Sequence, residues 1–274
     1  MAWFKKLLVM ALTLALGASC VSNKRIIYLQ NLEGNVPIAD GELITYELPE
    51  YRLQFNDILD INVKTAEDMI KEGFGFKDQT GGGGNRAMIG QIAQTGGDIY
   101  YMTGFTVDRN GNVRLPLLGE VSVMQMTLDE ARVTIEERLR EYVKSELFVT
   151  VKLGGIRFST IGEFRRPGKH VVLQDRMTIF EAIAQSGDLT TVAKRDELLI
   201  IRQYPDGTRL HRVNLNDRHI VHSPFYFIQP NDQLYAEPMK VREVGAGENA
   251  SQTLALLASS ISAFVLVLNL IARW

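Results

Sequence analysis

Few side chains here are equipped for catalysis. The 274 residues hold one cysteine, Cys20, and four histidines, His170, His211, His219 and His222. A metal site needs donors that converge, and His219 and His222, three apart, point to opposite faces if that stretch is a strand. The chain has no serine-centred elbow, no cysteine nucleophile and no His-Glu-x-x-His run. Its carboxylates fall mainly on helix exteriors and in turns such as Asp108 to Gly111 and Asp206-Gly207. Gly81 to Gly84 lack the Lys-Ser/Thr that lets a glycine loop hold phosphate. The expectation is a protein that is not an enzyme, with no catalytic residue, no metal and no cofactor.

The chemistry the sequence does support is attachment. Lys5 and Lys6 precede an apolar run from Leu7 to Leu16, and Gly17-Ala18-Ser19 supply small residues just before Cys20. This reads as a secretion signal over 1–19. It resembles a bacterial lipoprotein signal, in which the cysteine sulfur is acylated and becomes the first residue of the mature chain. The match departs at Leu16 and Gly17, the fourth and third positions before the cysteine. Val21, where an aspartate would favour inner-membrane retention, points by the same resemblance to the outer membrane. Without a second cysteine no intramolecular disulfide forms.

The other end carries a second apolar segment. From Asn249 to Ala272 no residue is charged, and at ~1.5 Å per residue roughly 22 helical residues span a ~30 Å hydrocarbon core. A transmembrane helix is therefore expected over 251–274, with Arg273 and Trp274 as interfacial anchors. Gln252, Ser259, Ser262, Asn269 and Arg273 recur near a helical period, with Ala255 and Leu266 between them. Such a stripe packs against neighbouring helices or faces a water-filled lumen, and both arrangements need partners. The other reading is a lone anchor whose serines bond their own backbone.

The elements between the two ends follow from pattern. Net charge is −2 and the pI about 6.1, and no Lys/Arg run is long enough to track phosphates, so nucleic acid is not expected as a partner. A lead-in over 20–50 holds Pro37 and Pro49 and reads as extended. Tyr51 to Val63 then reads as a strand entered through an Asn56-Asp57 turn, with Leu59, Ile61 and Val63 on one face. Nearly the same string returns at Tyr226 to Leu234, matching as Tyr-x-apolar-Gln-x-Asn-Asp-x-Leu. Thr127-x-x-Glu130 and Thr178-x-x-Glu181 are capping boxes, and each opens a helix. The first helix places Leu128, Ala131, Ile135, Leu139 and Tyr142 on one apolar stripe; the second stops at Gly187. Strand runs Phe148 to Leu153 and Glu197 to Ile201 follow.

Two stretches stand apart. Residues 65–104 form a glycine-rich insertion, expected as a loop that is either a lumen-facing or partner-facing flap or a tolerated surface insertion. Arg165, Arg166, Lys169 and His170 make a basic turn around Pro167-Gly168 that would either meet an acidic sugar polymer or be a solvated hairpin tip.

The string Tyr51 to Val63, the run Val107 to Val121, the Thr127 helix and Val149-Thr-Val151 closely resemble the polysaccharide export domain of bacterial outer-membrane export proteins of the Wza type. From Ile156, the segments Ile161 to Gly168, the Thr178 helix, Gly187, Leu198 to Arg202 and Pro230 to Asp232 resemble a soluble-ligand-binding β-grasp module. The resemblance covers about two thirds of the chain. It implies an α+β fold of two small β-grasp-like modules, each with a mixed sheet and one helix. The export domain would span 51–153, the β-grasp module 154–240, a linker 241–250 and the terminal helix 251–274.

The resemblance also implies a lipid-anchored homo-oligomeric ring in the outer membrane, body in the periplasm, whose C-terminal helices form a barrel that passes capsular or exopolysaccharide. The implied partner is an inner-membrane polysaccharide copolymerase of the tyrosine-kinase type. Cys20 would carry the lipid. Gln252, Ser259, Ser262 and Asn269 would serve helix association or the lumen, and Arg165, Arg166 and Lys169 would contact the polymer. The chain departs from larger relatives in having one β-grasp module and a more apolar terminal helix. The competing reading is a monomeric, membrane-tethered glycan-binding lipoprotein without a pore.

Overall fold

The computed structural model describes residues 23–45, 50–67, 69, 99–240 and 250–272. Cys20 and the signal, most of the glycine-rich insertion, and Arg273 with Trp274 lie outside the described residues.

The first module is built from β1 (Ile58–Thr65), a short helix α1 (Ile99–Thr103), β2 (Phe105–Thr106), β3 (Asn112–Leu115), β4 (Gly119–Ser122), helix α2 (Leu128–Arg140) and β5 (Leu147–Leu153). Its sheet runs β2-β1-β5 and β3 pairs with β4, every pairing being antiparallel. The mixed sheet expected here is thus absent among the described residues. Strand β5 alternates strictly, burying Leu147, Val149, Val151 and Leu153 against Ala131, Ile135 and Leu139 of α2. Both halves of the α2 capping box are made: Glu130 N–H donates to Thr127 Oγ1 at 3.1 Å and Thr127 N–H to Glu130 Oε2 at 2.8 Å. Tyr142 is not part of the stripe, because α2 ends at Arg140 and the ring is 62% exposed beyond it. Alternation also weakens along β1, where Leu59 is fully buried but Val63 is exposed. Asp108 shapes the turn into β3 by accepting from Asn110 and Asn112 N–H groups. Gly111 there has φ +80°, and a Cβ on it would stand 2.3 Å from Met124 Cβ, so no other residue fits.

The second module comprises β6 (Ile156–Gly162), β7 (Gly168–Val172), β8 (Met177–Thr178), helix α3 (Ile179–Gln185), β9 (Leu198–Tyr204), β10 (Gly207–Val213), β11 (Phe227–Ile228) and β12 (Gln233–Ala236). Its five-stranded sheet runs β10-β9-β12-β6-β7, with β12 parallel to β6 and antiparallel to β9, so this sheet is mixed. The pair β11-β8 closes one end. Ile179, Ala182 and Ile183 of α3 pack with Ile156, Phe158, Leu198, Ile200 and Leu234, a cluster of buried side chains distinct from that of the first module.

The lead-in, although it precedes the first module in sequence, docks on the second. After a 3₁₀ turn at Asn23–Arg25, Leu29 N–H donates to Leu215 O and Gln30 N–H to Asn216 O, while Arg218 N–H donates back to Gln30 O. Tyr28 lies under the Arg195 guanidinium, 5.1 Å from ring centroid to Cζ, and donates its hydroxyl to Asp188 Oδ1. Burial and that hydrogen bond push the Tyr28 phenol up to about 12. Arg218 fastens the rest of the strap, reaching Leu29 O, Ile38 O and Asp40 Oδ1.

Helix α4 (Ala250–Ala272) has 23 residues, and every side chain described on it is exposed. The expected helix exists, but the expected transmembrane span finds no support in it: among the described residues no helix is long and apolar enough to cross a membrane. Several of its side chains, Gln252 included, lie outside the described residues.

Candidate functional site

The repeated string folds as one turn built twice. Asn56 and Asn231 both take the left-handed conformation, at φ 70° and 67°, which asparagine tolerates better than most residues. In the first copy Asp57 N–H donates to Gln54 O at 3.2 Å and Gln54 N–H to Asp57 Oδ2 at 2.8 Å. In the second, Asp232 N–H donates to Gln229 O at 3.2 Å and Gln229 N–H to Asp232 Oδ2 at 2.8 Å. Each turn launches a strand, β1 or β12. The block therefore opens the first module and closes the second.

The two carboxylates meet different surroundings. Arg202 grips Asp232 with Nε on Oδ1 at 2.9 Å and Nη2 on Oδ2 at 2.7 Å, both side chains being buried. Extending the β12–β9 register by one residue puts Arg202 opposite Asp232; extending the β1–β5 register by two puts Gly155 opposite Asp57. The strand paired with β1 therefore places no cation opposite Asp57. Its Oδ2 accepts from the Tyr51 hydroxyl at 2.7 Å, and its Oδ1 is buried without a hydrogen-bond partner. Burial pushes Asp57 up to about 6, with Gln54 N–H, the Tyr51 hydroxyl and the Arg157 charge opposing the shift. Burial and the neighbouring carboxylate hold the Tyr51 phenol well above its usual range.

The basic turn joins β6 to β7. Arg166 is committed to structure, since its Nη2 donates to Gln185 O at 2.9 Å at the C-terminal end of α3. Arg165 and Lys169 are exposed on the same turn. His170 stacks on Phe158 and its Nε2 lies 3.1 Å from Thr160 Oγ1 and 3.3 Å from Ser186 Oγ. Burial lowers its pKa.

His219 and His222 do not lie in a strand. They sit on a 3₁₀ turn, Arg218–His222, whose period of three brings their rings to 6.2 Å, on neighbouring faces and not opposite ones. Nothing joins them as a third ligand: among the described residues no group of three or more His, Cys, Asp or Glu could hold a metal.

On α4, Ser259 Oγ donates to Leu256 O at 2.9 Å and Ser262 Oγ to Ala258 O at 2.8 Å. Both hydroxyls are satisfied within their own helix. Asn269 is exposed on the same helix, and Cys20 lies outside the described residues.

Residues 45–154 match the family model of polysaccharide biosynthesis/export proteins, a stretch that takes in the whole first core from Leu53 to Leu153. Over this stretch, less than half of the chain, the sequence is similar to the polysaccharide export family. A curated protein similar to this chain is the EPS I polysaccharide export outer membrane protein EpsA of Ralstonia nicotianae (strain ATCC BAA-1114 / GMI1000), 28% identical over 154 residues. The alignment takes in 55% of this chain and 38% of that protein, so the chain spans well under half the length of the relative.

Sequence reading passed over the residues around the second copy of the turn. Asp175, Arg176 and Phe227 stand together beside Tyr51 of the first copy, at the line where the modules meet. The available signal was the aromatic run Phe225 to Phe227 between Pro224 and Pro230, which is costly to leave on a surface without purpose.

Proposed function

We propose that this protein is an outer-membrane lipoprotein that assembles as a ring and conducts capsular or exopolysaccharide out of the cell. The observation that carries the reading is the export domain at 45–154, joined to a second module and to a 23-residue helix with no charged residue. Cys20 holds the lipid, the body lies in the periplasm, and copies of α4 gather around an axis with the Ser259–Ser262 side inward. Translocation is passive, driven by an inner-membrane copolymerase that docks on the ring, so no catalytic group is required. Arg165 and Lys169 offer charge to an acidic polymer.

Both ends of the body emerge from the second module, through the strap at 23–40 and through Met239, which leads on toward α4. This supports an orientation with the second module nearest the membrane.

One observation favours a second reading. The internally bonded hydroxyls of Ser259 and Ser262 need no neighbour, as a lone tether would have it. Replacing both serines by leucine separates the two. A conduit built on that face loses assembly and surface polysaccharide, whereas unchanged export in the double variant reduces α4 to a tether.

A further inference from the structure

At the line where the modules meet lies a cleft of about 160 Å³. Tyr51 of the first turn forms part of its wall. The opposite wall is the segment carrying Phe227 and Gln229, held between Pro224 and Pro230, whose fixed φ angles keep it rigid. Its apolar lining includes Ile156, which is almost wholly buried. Asp175 and Arg176, both exposed, complete the lining.

Several basic groups of this surface are paired: Lys194 and Arg212 with Glu237, Arg132 and Arg140 with Glu136, Arg218 with Asp40. Among the described residues Asp175 and Arg176 have neither an ion pair nor a side-chain hydrogen bond, with each other or with anything else. The Arg176 guanidinium instead lies over the Phe227 ring, 5.2 Å from its centroid. A free carboxylate, a free guanidinium, a side-chain amide and an aromatic face around one concavity are the complement of a sugar. Vicinal hydroxyls donate to a carboxylate and accept from a guanidinium, and the C–H face of a pyranose packs on an aromatic ring. At roughly 30 Å³ per water the cleft holds about five waters, the bulk of one pyranose ring. It falls below the ~300 Å³ at which ligand pockets begin, so a single ring enters and the rest of a chain stays outside.

We infer that this cleft is a subsite for one pyranose residue of a glycan chain, bound against Phe227 with its hydroxyls on Asp175, Gln229 and Arg176. The inference rests on the export reading and deepens it. Contact through one ring is weak and quickly reversed, as a moving polymer requires. Where the residue is a uronate, its carboxylate meets Arg176.

The test is saturation-transfer NMR on the full chain in a sugar-free zwitterionic detergent, with methyl β-D-glucopyranoside and with D-glucuronate at millimolar concentration. Saturation is expected on ring C–H protons. Asp175→Ala, at an exposed position outside the cores, should weaken binding of both probes about tenfold, and Arg176→Gln should weaken glucuronate more than the glucoside. Arg114→Ala, at an exposed position on β3, should change neither. Absence of saturation for both probes overturns the subsite, as does saturation that survives Asp175→Ala and Arg176→Gln undiminished. Particle mass measured on the same sample keeps the two proposals apart: a ring without saccharide signal removes the subsite alone, and a monomer with the signal removes the ring alone.

Discussion

Asp57 and Asp232 hold the same position in two copies of one turn, and only Asp232 has a guanidinium on it. The difference follows from what the neighbouring strand places opposite each carboxylate, Gly155 in one case and Arg202 in the other. One buried carboxylate has a guanidinium on it and the other does not, which gives the two turns different responses to substitution.

Asp57 should make the first module more stable in mild acid. Its folded value of about 6 is raised from 3.8, so its contribution is complete below pH ~4 and is lost as the pH rises through ~6, by at most about 3 kcal/mol. Urea unfolding should show a higher midpoint at pH 5 than at pH 7.5. Asp57→Asn, whose amide oxygen can still accept from Tyr51 and Gln54, should flatten that dependence. An unchanged slope in the variant would place the titration elsewhere.

The Arg202–Asp232 pair should be sensitive to loss of its cation. Arg202→Leu leaves a buried carboxylate without its cation and is expected to cost about 3–5 kcal/mol by chemical unfolding. Arg140→Ala, which removes an exposed helical pair with Glu136, should cost under about 1 kcal/mol. Equal losses would contradict the burial argument.

The two capping boxes give a matched pair of tests. Thr127→Ala and Thr178→Ala should each destabilise by about 1 kcal/mol, and the effects should add, because the helices belong to separate cores. Circular dichroism melts of the two single variants and the double variant check both points.

Arg218 should control the strap and little else. Arg218→Ala removes the links to Leu29 O, Ile38 O and Asp40. Limited trypsin digestion should then cut faster after Lys24 and Arg25, while hydrogen exchange in β6, β9 and β12 stays slow. Loss of protection throughout the sheet would mean that the strap is part of the core.

What was legible in the sequence was local. The Asn-Asp turns, the capping boxes and the strand run from Phe148 to Leu153 depend on residues within a few positions of one another, and each forms. What escaped depends on long-range pairing. The parallel β6–β12 pairing brings together Ser159 and Gln233, and no periodicity carries that information. The strap bonds to Leu215 and Asn216, some 185 residues away in sequence, although the first module follows it directly in the chain. Asp175, Arg176 and Tyr51 become neighbours only because two modules close on one another. That His219 and His222 share a 3₁₀ turn was not legible, because a short polar stretch carries no period of its own. The stripe on α4 was visible as a pattern, but the internal hydroxyl bonds of Ser259 and Ser262 arise from side-chain rotamers that spacing does not encode.

The central claim is that copies of this chain enclose a path. Native mass spectrometry of the full-length mature protein, extracted from outer membranes in mild detergent, tests it most directly. The account predicts a closed ring at one discrete multiple of the subunit mass, stable on dilution. A particle that remains a single subunit at high protein concentration, in detergent and after return to lipid, would contradict it.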